Sequence, residues 1–171
     1  AEKIRISGGG RCNFTNRDLD VRAPHKHYVG QNPQFCRSAL SRYTPSDFIA
    51  LMEKHSIPYE EKHKGQLFAT TSAEDIIRML LAECAAGGVT HWQPCSVKKV
   101  VFLGDEAATE RTSSYQIHTD KGLETAPNLV LATGGLSIPK IGATDFGYRL
   151  AQQFDLPLIE RRAGLVPLTF D

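Results

Sequence analysis

The sequence predicts an α/β fold that combines helices with an antiparallel β-meander, and three observations carry the prediction. Ala73, Ile76, Ile77, Leu80, Leu81, Cys84 and Ala85 fall at the i, i+3, i+4, i+7, i+8 spacing of a helix with one buried face. Val97 to Leu103 is a largely apolar run, and Tyr115, Ile117 and Thr119 follow at the two-residue period of a strand. A second apolar run, residues 129–132, ends in Thr133-Gly134-Gly135 and is followed by a helical pattern, the order of a strand-to-helix unit.

The elements follow in chain order. Asn32-Pro33 and Thr44-Pro45 each set a capping side chain before a proline at the first helical position, where the missing N–H leaves no helical bond unmade. The first of these helices is expected to bury Phe35, Cys36, Ala39 and Leu40. The second, with Asp47 completing a box with Thr44, is expected to bury Phe48, Ile49, Leu51 and Met52. Ile57-Pro58-Tyr59 and Gln66-Leu67-Phe68-Ala69 read as short strands across a charged turn ending at Gly65. The helix over 73–85 opens at Thr71-Ser72, carries Glu74 and Asp75 in its first turn and stops at Gly87-Gly88. The meander turns at Asp120-Lys121-Gly122 and returns into residues 129–132, expected as a strand buried on both faces. A last helix over 144–154 is expected to bury Tyr148, Leu150, Ala151 and Phe154, with Asp155 at the exit position that glycine commonly fills.

At 171 residues and 18.9 kDa the chain has the size of one domain with one core, and no repeat or linker divides it. Twenty Lys and Arg against 19 Asp and Glu leave a net charge of +1, which gives no strong field toward nucleic acid or an anionic membrane. Nucleic acid and membrane are therefore not expected as partners, a small-molecule substrate is expected only through the resemblance given below, and no motif bears on oligomeric state. The apolar runs are far shorter than a bilayer span. Cys12, Cys36, Cys84 and Cys95 stand at wide, irregular spacings, as expected of reduced thiols in a cytoplasmic protein. Ala1-Glu2-Lys3-Ile4 has no initiator Met and no basic or apolar leader segment, so the chain is expected to be an internal piece of a longer product.

Two glycine segments stand out as candidate ligand sites. In Ser7-Gly8-Gly9-Gly10-Arg11-Cys12-Asn13-Phe14-Thr15-Asn16, three glycines without Cβ atoms let backbone N–H groups face one concavity. Arg11 adds a positive fork, and Asn13, Thr15 and Asn16 add neutral hydrogen-bonding groups. A mobile glycine turn with an Asx cap reads the same residues equally well. The segment is neither a P-loop nor G-x-G-x-x-G. In the second segment, Ala132-Thr133-Gly134-Gly135 leads through Pro139 and Gly142 to Thr144, Asp145 and Gly147. Such a strand end followed by a helix entry is where open α/β sheets collect ligands, although a plain strand-to-helix turn has the same composition.

These segments carry a resemblance. Lys3 through Asn16, and Ala132-Thr133-Gly134-Gly135 through Pro139, Gly142 and Gly147-Tyr148 to Leu165-Val166-Pro167-Leu168, closely resemble the BaiN/YhiN-type bacterial flavoproteins in content, order and separation. Those are NAD(P)/FAD-dependent oxidoreductases that include aminoacetone oxidase-like members. The resemblance covers essentially the whole chain and implies part of an FAD-binding, Rossmann-like domain of the two-dinucleotide-binding-domain type. It implies FAD as cofactor, with NAD(P)H as a possible electron donor, and a fragment of an oxidoreductase that is inactive by itself. It nominates Gly9, Gly10, Arg11, Cys12 and Asn13, with Thr133, Gly134 and Gly135, as cofactor-proximal, and it nominates no catalytic residue. On this reading residues 1–171 are one fragment of the FAD domain, and about 164–171 begin the connection toward a substrate domain.

The chain departs from the family in lacking the N-terminal G-x-G-x-x-G unit. Ala69 stands where many members carry Pro, and Phe146 and Asp155 where Gly is frequent. Two alternatives remain open: a non-enzymatic nucleotide- or partner-binding module, and an inert structural fragment. Cys12 beside Arg11 reads either as an activated thiolate or as a packing thiol. His25-x-His27 with Cys36 lacks the second ligand pair of a structural zinc site, and no metal is expected. His55 and His63 flank a charged turn and read either as substrate-facing in the complete protein or, preferred, as exposed side chains.

Overall fold

A computed structural model describes residues 1–28, 30–104 and 114–162, with the side chains of residues 25 and 139 left aside. Two compact units result, Ala1–Thr90 and His91–Arg162, each described by itself. The mixed α/β class, with helices and antiparallel sheets, is the one the sequence predicts.

The first unit opens with a short helix α1 (Glu2–Ile6) and a tight turn at Ser7–Gly10, then β1 (Asn13–Asn16), α2 (Arg37–Arg42) and α3 (Pro45–Lys54). The hairpin β2 (Tyr59–Glu61) and β3 (Gln66–Ala69) and the long helix α4 (Ala73–Ala86) complete it. The sheet order is β1-β3-β2, antiparallel throughout, with a bulge between Asn13 and Thr15. Met52, Ile57, Ala69, Ala73, Ile76, Met79 and Cys12 form the core, with Phe14 and Phe48 packed on it. The rings of Phe14 and Phe48 stack at 5.5 Å between centroids. Arg5 on α1 bonds Glu74 on α4 as well as its own neighbour Glu2.

The local signals around α3 and α4 hold to the residue. Thr44 caps α3 by accepting from the Asp47 N–H at 3.3 Å, and the Asp47 carboxylate accepts from the Thr44 N–H at 2.7 Å. Ser72 caps α4, and Gly88 takes a positive φ of 69° after it. There the Val89 N–H reaches the Cys84 carbonyl at 2.9 Å and the Gly88 N–H that of Ala85 at 3.0 Å, closing a Schellman end.

Burial differs from the periodic expectation in two places. Asn32-Pro33 opens a turn rather than the helix itself; α2 begins at Arg37, and Phe35 is 86% exposed. The Asn32 side chain accepts from the Gln34 N–H at 3.2 Å, so it stabilises an Asx turn in place of a cap. In α4 the first two turns are buried through Ala73, Ile76, Ile77 and Met79, whereas Leu81, Cys84 and Ala85 are exposed. Periodicity identifies the apolar stripe, but the sheet and α1 cover only its N-terminal half.

The second unit holds β4 (Val97–Leu103), β5 (Ser114–Thr119) and β6 (Gly122–Ala126), paired in that order as an antiparallel meander, and α5 (Phe146–Gln153). The third strand is β6 and not residues 129–132, which lie outside any ladder with Val130 85% exposed. Tyr115↔Ala126 through Thr119↔Gly122 fill the edge of β5 directly after the two-residue turn, so the third place in the meander is taken before the chain reaches the later apolar run. α5 buries Leu150 and half-buries Tyr148, Ala151 and Phe154, as its pattern predicts. The Gln153 amide donates to the Val100 carbonyl at 2.8 Å, holding α5 to β4. The segment Leu165-Val166-Pro167-Leu168 lies outside the described residues.

Two predictions arise from these caps. The Thr44 backbone N–H, and after it the Thr44 hydroxyl, hold the Asp47 carboxyl below the ordinary value of 3.8. A carboxyl lowered in the folded state contributes its stability in full above the unfolded value and loses it as pH falls through the folded one. Asp47→Asn is therefore expected to melt below wild type at neutral pH, with the gap closing as the solution is acidified below 3.8. A gap independent of pH between neutral and strongly acidic buffer would contradict this assignment.

Asp155 ends α5 with φ 52°, and the Leu156 and Asp155 N–H groups reach the Ala151 and Gln152 carbonyls at 2.9 and 3.0 Å. A side chain in this left-handed region carries steric strain that glycine lacks. Relief of roughly 1–2 kcal/mol of left-handed strain, offset by about 0.4–1 kcal/mol of added freedom in the unfolded chain, is expected to make Asp155→Gly more stable by up to about 1 kcal/mol. Thermal melting checks it, and a lowered midpoint would show that the carboxylate outweighs the backbone strain.

Candidate functional site

The sequence-nominated residues fall in two places, one in each unit. In the first, Gly8 (φ 59°), Gly9 (φ 69°) and Gly10 (φ 84°) are three successive left-handed residues that reverse the chain between α1 and β1. The Ser7 carbonyl accepts from both Arg11 and Cys12, closing the turn beneath them. Gly8 is pressed inward: a Cβ there would lie 2.7 Å from the Phe68 ring and 2.9 Å from the Asn13 nitrogen. Gly9 faces the other way, is exposed, and has open space where a Cβ would stand. One glycine thus allows close packing underneath, and its neighbour leaves backbone open to a ligand above.

The side chains around this turn are committed differently from one another. Arg11 bonds Glu60 on β2 at 2.7 Å, in a partly exposed pair whose attraction water screens. A competing anion can draw the guanidinium away at small cost. Asn13, with its amide nitrogen turned toward carbonyls, donates to Thr15 and Leu67 at 3.1 Å each and so braces the bulge of β1. Cys12 is 7% exposed and belongs to the core. Burial pushes its thiol up, and the opposing Ser7 hydrogen bond is the weaker influence. The packing reading of Cys12 therefore replaces the activated-thiolate one: the thiol lies in the core, and the Arg11 guanidinium is held by Glu60.

Beside β1 a cavity of about 500 Å³ opens, walled by Phe14, Phe48, Tyr28 and Tyr43, with Asn16 and His27 among its polar groups. The bulge turns Phe14 toward Phe48 and Tyr59. Asn16 is fixed at its edge, accepting from the Asp18 N–H at 2.8 Å and donating to the Lys64 carbonyl at 2.9 Å. Sequence reasoning named Asn16 but missed this cleft, because its aromatic walls come from four segments with no shared period. His55, expected to be exposed, is largely covered and pairs with Glu83 at 2.6 Å, while Lys54 holds the same carboxylate at 2.7 Å. The hydrogen bonds from Lys54 and then His55 hold the Glu83 carboxyl below its usual range. His63 is exposed, and the His27 ring accepts from the Asp20 N–H at 3.3 Å.

In the second unit, Thr133, Gly134 and Gly135 are exposed and sit against the entry of α5. A Cβ on Gly147 would stand 2.5 Å from the Thr133 hydroxyl oxygen, and one on Gly135 would stand 3.4 Å from the Tyr148 hydroxyl. Gly134 (φ 74°) has open space at its Cβ direction, as Gly9 does. The second segment therefore keeps the packing of a glycine turn onto a helix entry, although the run before it is not a strand. Arg161 covers the Tyr148 ring at 4.4 Å. All four cysteines are free, no group of three or more His, Cys, Asp or Glu side chains comes together, and no helix is long and apolar enough to cross a membrane, all among the described residues.

Comparison with known proteins bears directly on these two turns. The HI0933-like protein Rossmann domain matches residues 1–169, a span that contains both glycine segments and everything between them. The chain belongs to that family. It is similar to the ribosomal RNA dihydrouridine synthases of Escherichia coli (strain K12), at 46% identity, and Haemophilus influenzae, at 42% identity. Each alignment covers 98% of this chain, with 39% of the first relative and 40% of the second. A more distant relative is the 3-dehydro-bile acid delta(4,6)-reductase of Clostridium scindens, 24% identical over 98% of this chain and 38% of its own length. The chain spans about two fifths of the length of these relatives. The Rossmann-family resemblance stands; its aminoacetone oxidase aspect gives way to relatives that carry other names.

Proposed function

We propose that this member of the HI0933-like Rossmann family is part of a flavin-dependent oxidoreductase that reduces uridine in ribosomal RNA. The observation that carries the reading is the 46% and 42% identity, over 98% of the chain, to two proteins named ribosomal RNA dihydrouridine synthase. The distant relative named a reductase supports the broader oxidoreductase class. RNA is proposed in place of the small-molecule substrate that the resemblance implies.

The residues present fit a flavin nucleotide. Gly9 and Gly134 offer backbone with no side chain in the way, and Arg11 is a guanidinium held only by an exposed partner. On this reading the family resemblance nominates Gly9, Gly10, Arg11, Cys12 and Asn13 and, separately, Thr133, Gly134 and Gly135 as cofactor-proximal. Cys12 packs beneath the turn and Asn13 stiffens it, so their part is positioning. Bound FAD would supply the hydride chemistry, with NAD(P)H the proposed source of electrons. We place residues 1–171 within one FAD-binding domain of a cytoplasmic protein, with about 164–171 leading toward a further domain.

The test uses the complete gene product. It is expected to carry flavin absorbance or to bind added FAD, and its reduced form is expected to be reoxidised by unmodified ribosomal RNA, leaving one uridine heavier by two hydrogens. A gene product without flavin and without affinity for FAD would overturn the reading. Flavin that ribosomal RNA leaves reduced would overturn its substrate and leave the oxidoreductase class.

A further inference from the structure

The overall charge of +1 conceals an uneven distribution. Residues 17–43 carry Arg17, Arg22, Lys26, Arg37 and Arg42 against Asp18 and Asp20, a surplus of three positive charges, so the rest of the chain is net negative. All five cations are exposed, and Arg22, Arg37 and Arg42 have no acidic partner within ion-pair distance among the described residues. This is also the stretch that supplies the outer walls of the cavity beside β1: Tyr28 and Tyr43 line it while remaining 43% and 51% exposed, and α2, which carries Arg37 and Arg42, contributes Leu40.

Exposed aromatic rings at the mouth of a cleft, interleaved with unpaired cations, are the chemistry of single-stranded nucleic-acid recognition: rings stack on bases and cations follow the phosphates. Duplex RNA offers no free base face, so a cleft walled by rings distinguishes strands with unstacked bases. A volume of about 500 Å³ is in the range of small-ligand sites, and its edge carries fixed polar groups such as the Asn16 side chain for the rim of a base.

We infer that the cleft between Phe14, Phe48, Tyr28 and Tyr43, with the basic stretch 17–43, binds single-stranded RNA and receives one unstacked base. The inference rests on the RNA substrate proposed above and adds to it the surface that holds the strand.

The test measures binding of the complete gene product to a fluorescently labelled oligouridine RNA and to a blunt RNA duplex by anisotropy, without added flavin and without turnover. Single-stranded RNA is expected to bind more tightly than duplex. Tyr28→Ala and Tyr43→Ala are each expected to weaken it by roughly 5- to 150-fold, the range for removal of one stacked base. Tyr28→Phe and Tyr43→Phe keep the ring and are expected to restore binding, which separates stacking from any damage to the fold. Arg37→Gln with Arg42→Gln is expected to flatten the salt dependence, removing about 0.7 from the slope of log affinity against log salt for each phosphate that is no longer neutralised. Lys98→Gln with Lys99→Gln, on β4 of the other unit, serves as the matched control and is expected to leave affinity unchanged. Wild-type affinity in both alanine variants, or equal affinity for duplex, overturns the inference. Because the readout needs no cofactor, RNA binding of this pattern in a flavin-free gene product removes only the proposed activity. Uridine reduction with indifferent tyrosine variants removes only this surface.

Discussion

Gly8→Ala is expected to destabilise the first unit by about 2–4 kcal/mol, whereas Gly9→Ala next to it is expected to cost only about 1 kcal/mol. Both positions have left-handed backbone, at φ 59° and 69°, so both substitutions incur the penalty of a Cβ in that region. Only at Gly8 does the new methyl collide, with the Phe68 ring at 2.7 Å and the Asn13 backbone at 2.9 Å. Phe68 is 6% exposed and lies in the central strand of its sheet, and Asn13 starts the neighbouring strand, so neither can move without disturbing the β1–β3 ladder. Urea denaturation of the two variants side by side separates the contributions, since backbone strain is common to both. Equal destabilisation would show that Gly8 is not packed against Phe68.

Met52→Ala is expected to be the most damaging truncation among these predictions, at about 2–5 kcal/mol, equivalent to a fall in melting point of roughly 5–15 °C. Met52 is completely buried, on α3, in a cluster with Ile57, Ala69, Ala73, Ile76 and Met79 drawn from the sheet and α4 as well as its own helix end. Removing its thioether leaves a cavity that the surrounding strand and helices cannot close. Leu81→Ala is the informative contrast. It removes an apolar group from the predicted face of α4, but from a residue 44% exposed, and should cost well under half as much. Similar destabilisation at the two positions would place the core further along α4 than the structure does.

These contrasts also show how far the chain was legible before its structure. The box at Thr44 and Asp47, the stop at Gly87-Gly88, the turn at Asp120-Lys121 and the left-handed exit at Asp155 all appear where the residues signal them. Of the nominated site residues, Gly9, Gly10 and Gly134 adopt the backbone that their lack of a Cβ permits. Cys12 and Asn13 were legible as neighbours of that turn and not as what they do there, because the thiol's burial and the amide's partners come from β3 and the core. The aromatic cleft was illegible: Phe14, Tyr28, Tyr43 and Phe48 meet only after α2 and α3 fold over β1. The charge sum is silent on distribution for a related reason, since a net +1 over 171 residues coexists with a surplus of three positive charges in the 27 residues 17–43.

What the sequence by itself determined are the decisions made within four or five residues: where helices begin and stop, which turns tighten, and where glycine or its substitute takes positive φ. Caps, Schellman ends and two-residue turns are bonds between near neighbours, so the residue types that make them are sufficient. Only the tertiary structure decided which half of the α4 stripe is buried, that Phe35 stays in water, that β6 rather than residues 129–132 takes the edge of the meander, and that the Cys12 thiol is buried in the core. Each of these depends on a surface supplied from elsewhere in the chain, and hydrophobic periodicity states that a face is apolar without naming what will cover it.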